Sequence, residues 1–185
     1  METIEFRTSP DGTVYYKTIN QEEKKLTRFS KEVISPLLEI IKHRFPQCYA
    51  RLFTIYPAKN SSIAEISVHQ HKMVERFVRC NFGEHDLLTQ DIEHDMLHFE
   101  EVRCPLRGGY CKHENIICRP KGVVNISPAE RVVVSLYLDG MTFDKISHLL
   151  HKSPSTIKTQ LLRVKQKLKV KNCREIIRIM RLYNY

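Results

Sequence analysis

Cys104, Cys111 and Cys118 stand seven residues apart in CPLRGGYCKHENIIC, with His113 between them and Cys80 upstream in VRCNFGEHD. Four thiolates satisfy the tetrahedral preference of Zn²⁺, and backbone with little apolar content is where a metal replaces packing. The pattern lacks the close Cys-x-x-Cys pair of common zinc modules. Two readings follow: a structural zinc held by Cys80, Cys104, Cys111 and Cys118, with His113 or His98 as substitutes, or reduced thiols acting as small apolar side chains. A second constellation is HDMLH, His94 to His98, which imitates the His-Glu-x-x-His of zinc hydrolases with Asp in place of Glu. That chemistry requires a helix, so that both imidazoles reach one metal, and the following LHFEEV has strand-like composition. HQH within Val68 to Lys72 is a weaker metal hint and reads first as a polar helix or strand face. Gly-rich phosphate loops and Ser or Cys nucleophile signatures do not occur. The expectation is a protein that is not an enzyme.

The other chemistry-bearing stretch is SPSTIKTQLLRVKQKLKVKN, Ser153 to Asn172, with six Lys and Arg and no acidic residue. Ile157, Leu161, Val164 and Leu168 fall at helical spacing on one side. At 100° per residue, Ser155, Thr159, Leu162, Arg163 and Gln166 lie opposite, and Lys158, Lys165 and Lys167 flank them. Short polar and methyl-bearing groups on one face, with cations at its sides, suit the base edges and the two phosphate walls of a DNA major groove. The candidate DNA-binding residues are Ser155, Thr156, Lys158, Thr159, Leu162, Arg163, Lys165 and Lys167. Lys169 and the helix start at Ser153 add phosphate contacts. Leu162, turned away from the core, is suited to a thymine methyl.

The elements that position this face are announced by their caps. Ser127, Pro128 and Glu130 form an N-cap, a first-turn proline and a Ser-x-x-Glu capping box, and Gly140 suits the end of that helix. A short helix from about Phe143 to Leu150 follows, then the tight turn HKSP. Ser153 and Pro154 open a third helix to about Lys169. Two helices joined by so short a turn make a helix-turn-helix. Upstream, IEFRTSPDGTVYYKTI reads as a hairpin turning at Pro-Asp-Gly. A helix is expected from Asn20 as N-cap to about Phe45, kinked or split at Pro36, and CYARLFTIYP reads as a strand. SSIAEISVHQHKMVERFVRC fits either helix or strand. A boundary falls at RPKGVVN, Arg119 to Asn125, giving domains 1–122, with a Cys-rich module at about 76–121, and 123–185.

Charge follows the same division. From Asn125 onward there are 12 Lys and Arg against 4 Asp and Glu, whereas residues 1–124 hold 18 against 17. The asymmetry points to a polyanion-binding module, for nucleic acid first and an anionic membrane surface second. No apolar run approaches the roughly 18 residues of a membrane span, no basic-then-apolar leader is present, and six cysteines fit a reducing compartment. The expected location is the cytoplasm.

The segment from Ile126 to about Leu182 resembles the LuxR/GerE-type helix-turn-helix domain. It carries SPAERVVVSLYLDGMTFDKISHLL, SPSTIKTQ, KLKVKN and REIIRIM at that family's positions. The KLKV…RE ending distinguishes it from sigma-factor-type helix-turn-helices, which share the earlier part. The amino-terminal part is expected to be an α+β domain, and the resemblance implies an all-α four-helix LuxR-type domain after it. It also implies double-stranded DNA as partner, Lys158 and Thr159 as main groove contacts, dimerisation through the fourth helix, and RNA polymerase as a further partner. Gln160 and Leu162 depart from the family's usual residues, so the operator does not carry over. The stretch from Arg76 to Lys121 looks like a cysteine-bearing module that precedes such domains in uncharacterised bacterial regulators. The amino-terminal part is neither a phosphoreceiver, lacking the early acidic pair, nor recognisably an acyl-homoserine-lactone pocket. A ligand or redox sensor, a docking surface and a dimerisation module stay open for it. The competing whole-chain reading is an adaptor for nucleic acid or protein without sequence preference, carrying a structural zinc.

Overall fold

The computed structural model describes residues 3–19, 21–82, 90–93, 95–124, 126–168 and 170–183, which form two compact units, Met1–Gly122 and Val123–Tyr185.

In the first unit, β1 (Ile4–Thr8) and β2 (Val14–Thr18) pair antiparallel with Phe6 opposite Tyr16. The turn between them closes through Gly12, whose φ of 84° is the left-handed conformation that glycine adopts without strain. The short β3 (Lys24–Lys25) adds to β2, and β4 (Ile92–Glu93) with β5 (Met96–Leu97) extends the sheet on the other side, in the order β3-β2-β1-β4-β5. Three helices follow or interrupt the strands: α1 (Lys31–Arg44), α2 (Pro46–Ile55) and α3 (Ile63–Asn81).

Three expectations change here. The helix expected from Asn20 begins at Lys31, because Lys24 and Lys25 instead pair with Tyr16 and Tyr15 as an edge strand and Arg7 grips Glu23 at 2.8 and 2.5 Å. Asn20 itself lies outside the described residues. Pro36 sits inside α1 without dividing it. CYARLFTIYP is not a strand but most of α2: Cys48 and Leu52, one helical turn apart, are both fully buried. Packing of that stripe outweighs the local strand preference of Tyr, Phe, Thr and Ile. The ambiguous segment is α3, opened by Ser62, whose hydroxyl accepts from the Glu65 amide.

The core of this unit is aromatic. Phe82 stacks on Phe6 and Phe99, with ring centroids 5.8 and 5.6 Å apart, and meets Phe77 edge-on at 5.9 Å. Ile4, Leu37, Ile41, Leu52, Met73 and Ile92 fill the rest.

The second unit contains α4 (Pro128–Leu138), α5 (Phe143–Leu149), α6 (Pro154–Lys167) and α7 (Cys173–Leu182) around a core of Val133, Val134, Ile146, Ile157, Leu161 and Val164. The capping box at the start of α4 is present in both directions, Ser127 with the Glu130 amide and Glu130 with the Ser127 amide. Gly140, at φ 78°, stops α4. Among the described residues no helix is long and apolar enough to cross a membrane.

Candidate nucleic-acid interface and cysteine loop

α6 is anchored along one stripe. Ile157, Leu161 and Val164 are essentially inaccessible, and Leu168, just past the helix end, is half-buried against them. The helix starts at Ser153, whose hydroxyl accepts from the Thr156 amide at 3.2 Å and meets the Ser155 and Thr156 hydroxyls at 2.8 Å. The turn before it, from Leu150 to Ser153, passes through His151 at φ 51°. The Lys152 amide donates back to Ser147 at 3.0 Å, so α5 and α6 are held in a tight angle.

The opposite face is open. Ser155, Thr156, Lys158, Thr159, Arg163 and Gln166 are exposed, and Leu162 is 49% exposed. The Thr159 hydroxyl donates to the Ser155 carbonyl at 2.9 Å, which fixes this side chain on the exposed face. Lys158 and Lys165 flank this face and, with Lys171, border a shallow groove of about 450 Å³ whose apolar wall is Phe143, Leu161 and Leu162. Lys171 was not among the expected contact residues, although the alternating KLKVK run already contained it.

Lys167 stands elsewhere. Its ammonium lies 2.6 Å from Glu130 Oε2, the carboxylate that caps α4 and is only 4% exposed. The expectation of a phosphate contact treated Lys167 as a free cation. In the fold it is the counter-ion that ties the end of α6 to the start of α4. Burial pushes the Glu130 carboxyl up, but Lys167 together with the Ser127 amide and hydroxyl outweighs it and holds the group below its ordinary range. This pair spans 37 residues and leaves no local sequence signal. Lys169 falls outside the described residues.

The thiols are placed by α3. Asn81, with no exposed surface, donates to the Ile117 carbonyl at 2.8 Å and accepts from the Arg119 amide at 2.6 Å. These two bonds grip the backbone on either side of Cys118, whose thiol comes beside that of Cys80, the residue before Asn81. Within this pair the Cys80 contact, helped by Arg107 and Arg76, favours the Cys118 thiolate, while the Cys118 contact and burial push Cys80 up. Cys104 lies near Cys80, and Cys104 and Cys111 are both half-buried. Cys48, which also interacts with Cys118, is raised mainly by burial. Among the described residues no three Cys, His, Asp or Glu side chains stand close enough together to hold a metal ion.

Within HDMLH, Met96 and Leu97 form β5 rather than a helix, and His94 lies outside the described residues. The described part of the motif therefore lacks the helix that the zinc-hydrolase reading requires.

Residues 125–168 match the family described as Sigma-70, region 4, a helix-turn-helix DNA-binding and non-enzymatic module. The match takes in α4, α5 and α6, about a quarter of the chain, and stops before α7. No curated protein and no solved structure matches this chain. The carboxy-terminal unit is a helix-turn-helix DNA-binding module of the kind used in transcription.

Proposed function

We propose that the chain is a sequence-specific transcription regulator that docks α6 in the major groove of double-stranded DNA. The observation that carries this reading is the partition of α6 into a buried stripe and an open face bearing Thr159, Leu162 and Arg163 beside Lys158 and Lys165. In the proposed complex Ser155, Lys158, Thr159, Leu162 and Arg163 meet base edges. Lys165, Lys171 and the α6 amino terminus at Ser153 to Thr156 meet phosphates. Lys167 takes a scaffold role.

Within helix-turn-helix proteins the LuxR-type reading is favoured by what lies beyond Leu168. Asn172 caps α7 by accepting from the Glu175 amide at 3.0 Å, which corresponds to the early glutamate of that family's last helix. By the same likeness α7 is the dimerisation helix and RNA polymerase the downstream partner. The first unit serves regulation or assembly.

Selection of bound fragments from random duplex, followed by titration, tests the reading. A regulator prefers its selected site over random duplex by a factor on the order of 10³ or more. Thr159→Ala and Leu162→Ala each cost about 1–3 kcal/mol on the selected site and little on random DNA. Equal losses on both duplexes, or no selectable site, refute the assignment and favour an adaptor without sequence preference.

A further inference from the structure

α2, α3 and the 58–61 segment that joins them border a hollow lying wholly within the first unit, with the buried Leu38 and Met73 in its lining. Its volume of about 440 Å³ falls in the range of roughly 300–1,000 Å³ typical of small-molecule sites. The aromatic wall is Tyr49, Phe53 and His69. The Phe53 ring stands 5.0 Å from that of His69, edge-on, and 6.4 Å from that of Tyr49. Phe53 and Ile66 both line the hollow yet keep 50% and 38% of their surface exposed. Covering them removes apolar surface from water, so an apolar occupant gains from each.

The polar groups around this wall are already placed. Asn60 Oδ1 accepts from the Ser62 amide at 3.0 Å, and the Ser62 hydroxyl accepts from the Glu65 amide at 3.3 Å, which fixes the rim where it enters α3. His69 Nδ1 bonds the carbonyl of Tyr56, the C-cap of α2. A carbonyl only accepts, so Nδ1 carries the hydrogen and the neutral ring presents Nε2 as an acceptor. His69 is 8% exposed, yet its Nε2 has no hydrogen-bond partner among the described residues. Polar atoms of buried side chains are nearly always paired. An acceptor left bare beside a half-exposed phenyl ring selects a donor carried on an aromatic body. Lys59 stands at the rim, exposed and without an ion pair among the described residues, and selects an anion.

We propose that this hollow binds a small planar aromatic acid that carries a ring hydroxyl or N–H. The aromatic body lies against Phe53 and Ile66, the ring donor donates to His69 Nε2, and the carboxylate meets Lys59. Area, donor and charge are thus each demanded by a different side chain, and each demand is tested separately.

The probe is 6-hydroxy-2-naphthoate, a fluorescent two-ring acid with one hydroxyl, titrated at neutral pH into the full chain, which has no tryptophan to overlap its signal. The expected result is one saturable site per chain. The 6-methoxy analogue, which lacks the donor, binds about tenfold more weakly. Phe53→Ala lowers affinity for both compounds, and Lys59→Gln lowers affinity for the acid but not for 2-naphthol. His69→Asn keeps a donor for the Tyr56 carbonyl and removes the far acceptor, so it erases the preference for hydroxyl over methoxy. Because that variant can fail to fold, the comparison of the two compounds on the wild-type chain decides on its own. Absence of saturation at millimolar probe, equal affinity of the wild type for both compounds, or unchanged binding by Phe53→Ala overturns the proposal. These titrations contain no DNA, so their outcome is independent of whether α6 binds a duplex.

Discussion

Lys167→Met separates a scaffold role from a DNA-contact role. The Lys167 ammonium and Glu130 Oε2 are 2.6 Å apart, and the same oxygen accepts from the Ser127 amide at 2.7 Å. Removing the cation leaves a carboxylate that is 4% exposed with one amide and a hydroxyl for company. Deleting one partner of a fully buried pair costs about 3–5 kcal/mol. Lys167 is 41% exposed at its side chain, so water screens part of that. Discounting for the exposed partner leaves about 1–2 kcal/mol. For a unit of this size, that lowers the melting temperature by about 5–10 °C. Methionine keeps the aliphatic stem, so packing loss adds little. The assay pairs thermal unfolding of the α4–α7 transition with DNA affinity measured across salt concentrations. A lost phosphate contact would reduce the slope of log affinity against log salt by about 0.9. The expected result is a lower melting temperature with the slope unchanged. An unchanged melting temperature with a flattened slope refutes the reasoning and returns Lys167 to the phosphate backbone.

Acid should act through the same carboxylate. The folded-state pKa of Glu130 is depressed, so its contribution is present above the unfolded value of about 4.3 and is lost as pH falls through the folded value. The stability advantage of the wild type over Glu130→Gln, measured by urea unfolding, should therefore be largest near neutrality and vanish in acid; a constant difference would contradict the pairing. Ser153→Ala removes the acceptor for the Thr156 amide and should lower stability by about 1 kcal/mol, read as a shift in urea midpoint at constant slope. Asn81→Ala strips the Ile117 carbonyl and the Arg119 amide of their partners. It should cost about 2–4 kcal/mol and speed tryptic cleavage at Arg103, Arg107 and Lys112, whereas an unaltered digestion rate would show that the loop is held by other means.

What could be seen in the residues alone was whatever is encoded locally. Ser127-Pro128-x-Glu130 and Ser153-Pro154 carry their own helix starts, and the spacing of Ile157, Leu161 and Val164 carries the orientation of α6, so the open face was readable before any coordinate. α2 was not, because Tyr49, Phe53, Thr54 and Ile55 favour strand locally. Only the helical packing of Cys48 and Leu52 reverses that preference. The early helix was placed too far upstream for a related reason. Lys24 and Lys25 have no apolar pattern of their own, and their strand exists because β2 offers an edge. Within the interface, Lys167 looked like its neighbours in charge and spacing, and only a partner 37 residues away distinguishes it. Asn81 was invisible on the same ground: its bonds reach residues 117 and 119, and an asparagine at a helix end attracts no attention by composition.

The side chains that hold α6 in place and those that stand free on it are separate sets. Ile157, Leu161, Val164, Ser153 and the Glu130–Lys167 pair do the holding, while Thr159, Leu162 and Arg163 bear no weight. Side chains on the outer side can thus be exchanged one at a time with little penalty to folding, so under the proposed function a change of DNA target needs only a few substitutions. Drift in target choice is mechanically cheap in this scaffold, and a laboratory library confined to those three positions would explore it without first repairing the protein.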